Sequence, residues 1–240
     1  MDRAAVLLAL LLGTTPMAWG GDAAWLDAES RIQYGYYTED GRALTNVTQS
    51  LAGQTSDAPL HDYYLALANY RLAQVDLSRD KEDSKKSVDN CVASVQKSLE
   101  NNPDSADAFA LESACLNLRA SLARLTAPFA SSKSSSTLKK ALALAPHNPR
   151  VLLIAGLAAY DAGEKAAALA GLQKAVAAFE HERQSVVQVP GWGAAEAYAF
   201  LARSELDGGD AIAARASLEH ALLLVPDFAY AHRLMARITG

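Results

Sequence analysis

With 240 residues, the chain has room for one or two compact domains or for one elongated stack of small units. Half of its residues are apolar but only 7% are aromatic, so a core must be built mainly from Ala and Leu, which favours helices. The formal charge of −5, from 22 Lys and Arg against 27 Asp and Glu, excludes a general attraction to nucleic acid or anionic lipid, and is too small to keep the chain unfolded.

The chain opens "MDRAAVLLALLLGTTPMAWG", with Arg3 ahead of an apolar run from Ala4 to Leu12 and small residues at Ala18 and Gly20. This is the layout of a cleavable export signal over residues 1–20, cut after Gly20, with a helical domain over 21–240. The competing membrane anchor needs roughly 20 apolar residues, more than this run supplies. No cysteine follows the run, and no later stretch is apolar enough to span a bilayer. The expectation is an exported protein, periplasmic if the host has two membranes.

Apolar spacing at three and four residues predicts eleven helices in the mature chain, at 24–37, 40–53, 60–75, 87–101, 105–126, 135–145, 149–161, 165–179, 192–207, 210–225 and 228–238. Asn148-Pro149 supplies an N-cap followed by a proline at the first helical position, and Gly163 and Gly209 suit the turns between paired helices. Three segments separate helices: "VDLSRDKEDSKKS" at 75–87 and "APFASSKSSST" at 127–137 inside pairs, and "EHERQSVVQVPGWG" at 180–193 between pairs. The first two read as solvated loops on one edge. The third, with Val186, Val187, Val189 and Trp192, lies on the opposite edge and is apolar enough to pack on the protein or on a partner.

Self-similarity organises these helices. Gly156, Gly163, Ala168, Leu172 and Ala175 recur 46 residues later as Ala202, Gly209, Ala214, Leu218 and Ala221. Leu138 and Ala141 precede Leu172 and Ala175 by 34, and Val95, Leu99 and Pro103 precede Leu138, Leu142 and Pro146 by 43. With Tyr198, Leu201, Asp210 and Pro226, these residues resemble the tetratricopeptide repeat (TPR) family, best in units 149–180 and 195–228. The resemblance implies an all-α, TPR-like solenoid of about five helix pairs with a C-terminal capping helix. It also implies a concave groove, lined by the first helix of each pair, that grips a peptide or a partner helix.

Carried over by position, the groove residues are Asn69, Leu153, Leu157, Tyr160, Ala199, Arg203 and Leu206. Leu153 and Ala199 stand where some family members use lysines to clamp a terminal carboxylate, so this groove reads as mainly apolar, with an isolated Arg203. Cys91 and Cys115 fall on helices expected to be neighbours, where a disulfide is possible, with two buried free thiols as the alternative. The tyrosines at 34, 36, 37, 63, 64 and 70 fit inter-helix packing, a minority of them facing the groove.

Neither the five histidines nor the carboxylates fall at spacings that force a metal site or an acid and base pair. No cofactor is implied. The expected function is that of a non-catalytic scaffold or adaptor binding a protein or peptide of the cell envelope. An envelope small-ligand binder, an enzyme accessory subunit and a self-assembly module stand as alternatives.

Overall fold

The computed structural model describes residues 20–54, 59–123, 127–185 and 189–239. Residues 1–19 of the expected leader, and Val186 and Val187, lie outside them. The described residues form eleven helices: α1 (Gly20–Tyr37), α2 (Gly41–Ala52), α3 (Pro59–Asp76), α4 (Lys81–Asn101), α5 (Ala106–Leu122), α6 (Ala127–Leu144), α7 (Pro149–Asp161), α8 (Lys165–Glu182), α9 (Ala194–Asp207), α10 (Ala211–Leu224) and α11 (Ala229–Thr239). They pack as five successive pairs, α1 with α2 through α9 with α10, and α11 covers the last pair.

Three of the pairs, α1 with α2, α7 with α8 and α9 with α10, are held by a small residue on the first helix and a leucine on the second. In α7 and α8, a Cβ built on Gly156 would meet Leu172 Cγ at 2.9 Å, and one built on Gly171 would meet Gly156 Cα at 3.1 Å. The two helices therefore approach closely enough that an added methyl group would force them apart. Gly35 and Leu44 repeat the arrangement in the first pair at 2.8 Å. In the last pair Ala202, Ala214, Leu218 and Ala221 are all fully buried in one core cluster. The turns after α7 and α9 pass through Gly163 at φ +76° and Gly209 at φ +86°, where a side chain would strain the backbone. Asn148 caps α7, its side chain accepting from the amides of Arg150 and Val151, with Pro149 in the first turn.

Two segments expected as loops are largely helical. α4 starts at Lys81 because the Asp80 carboxylate accepts from the amides of Glu82 and Asp83, and these two acids favour a helix N-terminus. α6 starts at Ala127, and its serines turn their hydroxyls onto helix carbonyls, Ser135 to Ser131 and Ser136 to Lys133. Ser134 meanwhile exchanges hydrogen bonds with Ser113 of α5. A serine-rich segment thus serves as a helix whose polar face is satisfied internally. Ahead of α9, Trp192 turns inward and is 3% exposed.

The stack also returns on itself. One core cluster runs from α1 to α9, while a second joins α9, α10 and α11 to Tyr37 of α1. Tyr37 packs edge-on against Phe228 with ring centroids 4.7 Å apart, and Arg233 of α11 makes two hydrogen bonds to the Glu39 carboxylate. In a simple repeat stack each unit touches only its neighbours. Here the first and last units meet.

Candidate functional site

The C-terminal halves of α3, α5, α7 and α9 and the first turn of α11 surround an open bowl of about 1090 Å³, with Tyr36 of α1 on its inner side. It opens toward the edge carrying the turns within pairs, since Glu39, Ser78, Arg79, Ser121 and Asp161 line it. Its wall combines apolar side chains such as Val75, Leu118 and Leu157 with the rings of Tyr36, Tyr70, Tyr160, Phe200 and Tyr230.

Arg203 projects from α9 between two of these rings. Its Nε donates to the Tyr160 hydroxyl at 2.8 Å and its Nη1 to the Tyr230 hydroxyl at 3.0 Å, while its guanidinium lies 5.2 Å from the Tyr160 ring centroid. Tyr160 in turn donates to the Asp207 carboxylate. The Tyr230 hydrogen bond, ahead of the opposing cost of burial, holds the Arg203 guanidinium still more firmly protonated than usual. Tyr160 is shifted upward by burial and by the Asp207 carboxylate that accepts its hydrogen bond. On the rim, Arg79 donates to the Glu39 carbonyl at 2.9 Å and Arg233 binds the Glu39 carboxylate. Asn117 donates to Asp161 at 2.7 Å, and burial pushes the Asp161 carboxyl up. Each charge in the bowl is therefore oriented by a neighbour before anything enters.

Behind Tyr36 and Tyr70 of the bowl wall lies a buried polar hub. Glu196 of α9, 1% exposed, pairs with Arg71 of α3 and accepts from Tyr37 Oη at 2.6 Å and Gln33 Nε2 at 3.2 Å. The Arg71 guanidinium also donates to Gln33 and Gln74 and lies 4.0 Å from the Tyr36 ring centroid and 5.0 Å from that of Trp192. Burial raises the Tyr36, Tyr37 and Tyr70 hydroxyls, Tyr70 to about 12, so all three remain neutral donors. Behind the hub, Trp192 Nε1 donates to Tyr63, and the Glu29 carboxylate accepts from Tyr64 and the Gly191 amide. Arg150, bridging Asp107 and Glu182, anchors the far side.

Of the positions carried over from the family groove, Leu157, Tyr160 and Arg203 line the bowl. Asn69, Leu153 and Ala199 are 3%, 1% and 0% exposed and serve packing, Asn69 turning its amide onto the Leu65 carbonyl. Leu206 is half-buried against the C-terminal core. The groove expected to be mainly apolar instead carries Arg79 and Arg233 beside Arg203, because the turn after α3 and the capping helix close over it. Cys91 and Cys115 are brought together as a disulfide between α4 and α5, with Cα atoms 6.2 Å apart. Among the described residues no group of three His, Cys, Asp or Glu side chains could hold a metal ion, and no helix is long and apolar enough to cross a membrane.

Sequence reasoning missed Arg71, Glu196 and Gln33. A usable signal was present: Arg71 stands alone as a charge in "YYLALANYRLAQV", and Glu196 alone in "GAAEAYAF", both otherwise built for packing.

No protein-family model and no curated protein matches the sequence. Among solved structures, a thermophilic TPR protein of Thermus thermophilus superposes over 90% of this chain and 98% of its own, with a TM-score of 0.59 at 18% identity. MamA aligns over 66% of this chain and 81% of its own, at 20% identity and a TM-score of 0.43. The successive helix pairs, their small-residue contacts, the capping helix and the superposition on the Thermus protein identify the chain as an all-α solenoid of the tetratricopeptide-repeat fold.

Proposed function

We propose that the chain is an exported, non-catalytic scaffold that takes a protein or peptide partner of the cell envelope into the bowl. One observation carries this reading: an open cavity of about 1090 Å³ is lined from several helices by rings and by arginines already fixed in position. Preorganised aromatic and arginine side chains are the residues that dominate protein recognition. The acids at the site are already engaged, Asp161 by Asn117, Asp207 by Tyr160 and Glu39 by Arg233. The N-terminal signal layout supports export to the envelope.

The test is crosslinking in the native envelope, comparing the wild type with Leu157→Glu and Arg203→Ala. Loss of a specific crosslinked protein from both variants, with helicity intact, is the expected result. Equal capture by all three proteins overturns the assignment of the bowl. N-terminal sequencing of the mature protein tests export, with Gly21 expected as the first residue.

The bowl's closed inner side favours a second reading, a small ligand such as a cell-wall fragment held in the bowl. A rise in melting temperature with soluble cell-wall fragments, abolished by Arg203→Ala, would select it.

A further inference from the structure

The Arg71–Glu196 pair joins α3 to α9 directly, passing over α5 and α7. It therefore crosses the concave side of the stack, with the bowl's Tyr36 and Tyr70 on one side of it and buried Trp192 on the other. The contacts that bring the chain's two ends together run from Tyr37 to Glu196 and Phe228, from Glu39 to Arg233, and from the Glu29 carboxylate to the Gly191 amide. The closest helix packing, by contrast, lies within the successive pairs. Arg71, Glu196, Glu39 and Arg233 are charged and Tyr37 carries a hydroxyl, groups that water can solvate on separation, while the rings of Tyr36, Tyr37 and Phe228 are the apolar surface a separation would expose. A buried ion pair is not intrinsically better than an apolar contact, and its best-attested use is to specify one arrangement among several.

We propose that the solenoid is an openable ring and that Glu196 is its latch. Closed, the concave face ends at the Arg71–Glu196 pair and admits only what fits the bowl. Open, the bowl lined by α3, α5, α7 and α9 extends past the Arg71–Glu196 position toward Trp192 and Tyr63, lengthening it for a helix of a partner. This deepens the reading of the concave face as the partner surface and depends on it for its biological consequence, whereas the seam itself can be tested without any partner.

The experiment compares full-length wild type with the Arg233→Glu/Glu196→Gln double variant, which places two carboxylates opposite each other at the rim and removes the charge that Arg71 faces. Solution scattering reads the overall dimensions, hydrogen exchange reads α11 and the end of α1, and circular dichroism reads helix content. The expected result is a larger radius of gyration and faster exchange in α11 and around Tyr37, with helix content and exchange in α7 and α8 unchanged. Wild-type dimensions and exchange in a fully helical double variant would overturn the latch, as would a wild type whose scattering already matches an open superhelix. If the double variant does not fold, Arg233→Glu alone, at an exposed position, decides: faster exchange in α11 supports the seam and wild-type exchange refutes it. Loss of partner capture in Arg203→Ala is a separate readout. If it fails while the scattering behaves as expected, the latch stands and only the partner assignment falls.

Discussion

The last helix pair and the ring seam are built from opposite materials. Between α9 and α10 the heart of the contact is Ala202, Ala214, Leu218 and Ala221, small and large apolar groups, with Ser217 donating to Glu205 beside them. Across the seam the contact is Glu196, Arg71, Tyr37 and Gln33, in which almost every atom that matters is a donor or an acceptor. Apolar interdigitation tolerates gradual change, because a lost methylene removes a share of the contact. A buried polar hub fails more abruptly, because removing one member leaves the others desolvated and unpaired. The pairs thus supply stability unit by unit, and the seam supplies a choice between two arrangements of those units.

The sharpest way to break this contrast is Glu196→Ala, which strands the Arg71 charge at 3% exposure. A loss of about 3–5 kcal/mol in chemical denaturation is expected. Replacing both partners, Arg71→Met with Glu196→Leu, should recover most of that loss, since shape is kept and no charge is stranded. If the double replacement is as unstable as the single one, the hub matters through its individual hydrogen bonds and the ion pair is incidental. Leu218→Ala, on the apolar side of the comparison, should cost about 2–5 kcal/mol by leaving a cavity between α9 and α10. Hydrogen exchange should locate that damage in α10 and α11 and leave α3 and α4 protected; uniform exchange throughout would mean that the ring unfolds as one unit.

The disulfide offers an intermediate case, a covalent link between adjacent pairs. Cys91 and Cys115 close a loop with a separation of 24 residues, so Cys91→Ser with Cys115→Ser should lower stability by about 2–4 kcal/mol under oxidising conditions. Under reduction the wild type and the variant should converge. Free, alkylatable thiols at both positions of protein taken from cells of its host would show that the link is not used there.

How much of this was legible in the sequence follows the same division. The pairs announced themselves because their contacts are local and repeated: Gly156 and Leu172, then Ala202 and Leu218, stand at the same spacing and carry the same chemistry. Helix ends were less legible, since the cap at Asp80 starts α4 at Lys81, six residues before the start expected at 87, and the serines of α6 satisfy themselves on helix carbonyls. The seam left almost no pattern. Arg71 and Glu196 are 125 residues apart and belong to no repeat, so a lone charge on a packing face was the only trace of either. For the same reason the bowl was half seen: Leu157, Tyr160 and Arg203 follow from the repeat register, whereas Arg79 and Arg233 arrive on a turn and a cap whose placement only the closed ring fixes.

The smallest expected effect tests the seam from its far side, through pH. Glu29 sits on α1 and holds the Gly191 amide ahead of α9, and burial raises its carboxyl above the usual 4.5, against the opposing pull of Gly191, Tyr64 and Arg150. A carboxyl whose folded value is raised contributes most below its unfolded value, and that contribution declines as pH rises through the folded value. Glu29→Gln keeps an acceptor for Gly191 and has no proton to lose. Its stability relative to wild type should therefore increase between pH 4.5 and pH 7.5, read as a growing difference in urea midpoints. A difference that shrinks over the same interval would mean that the Gly191 amide and Arg150 outweigh burial. Ionised Glu29 would then belong with Glu196 among the charges that hold the ring closed.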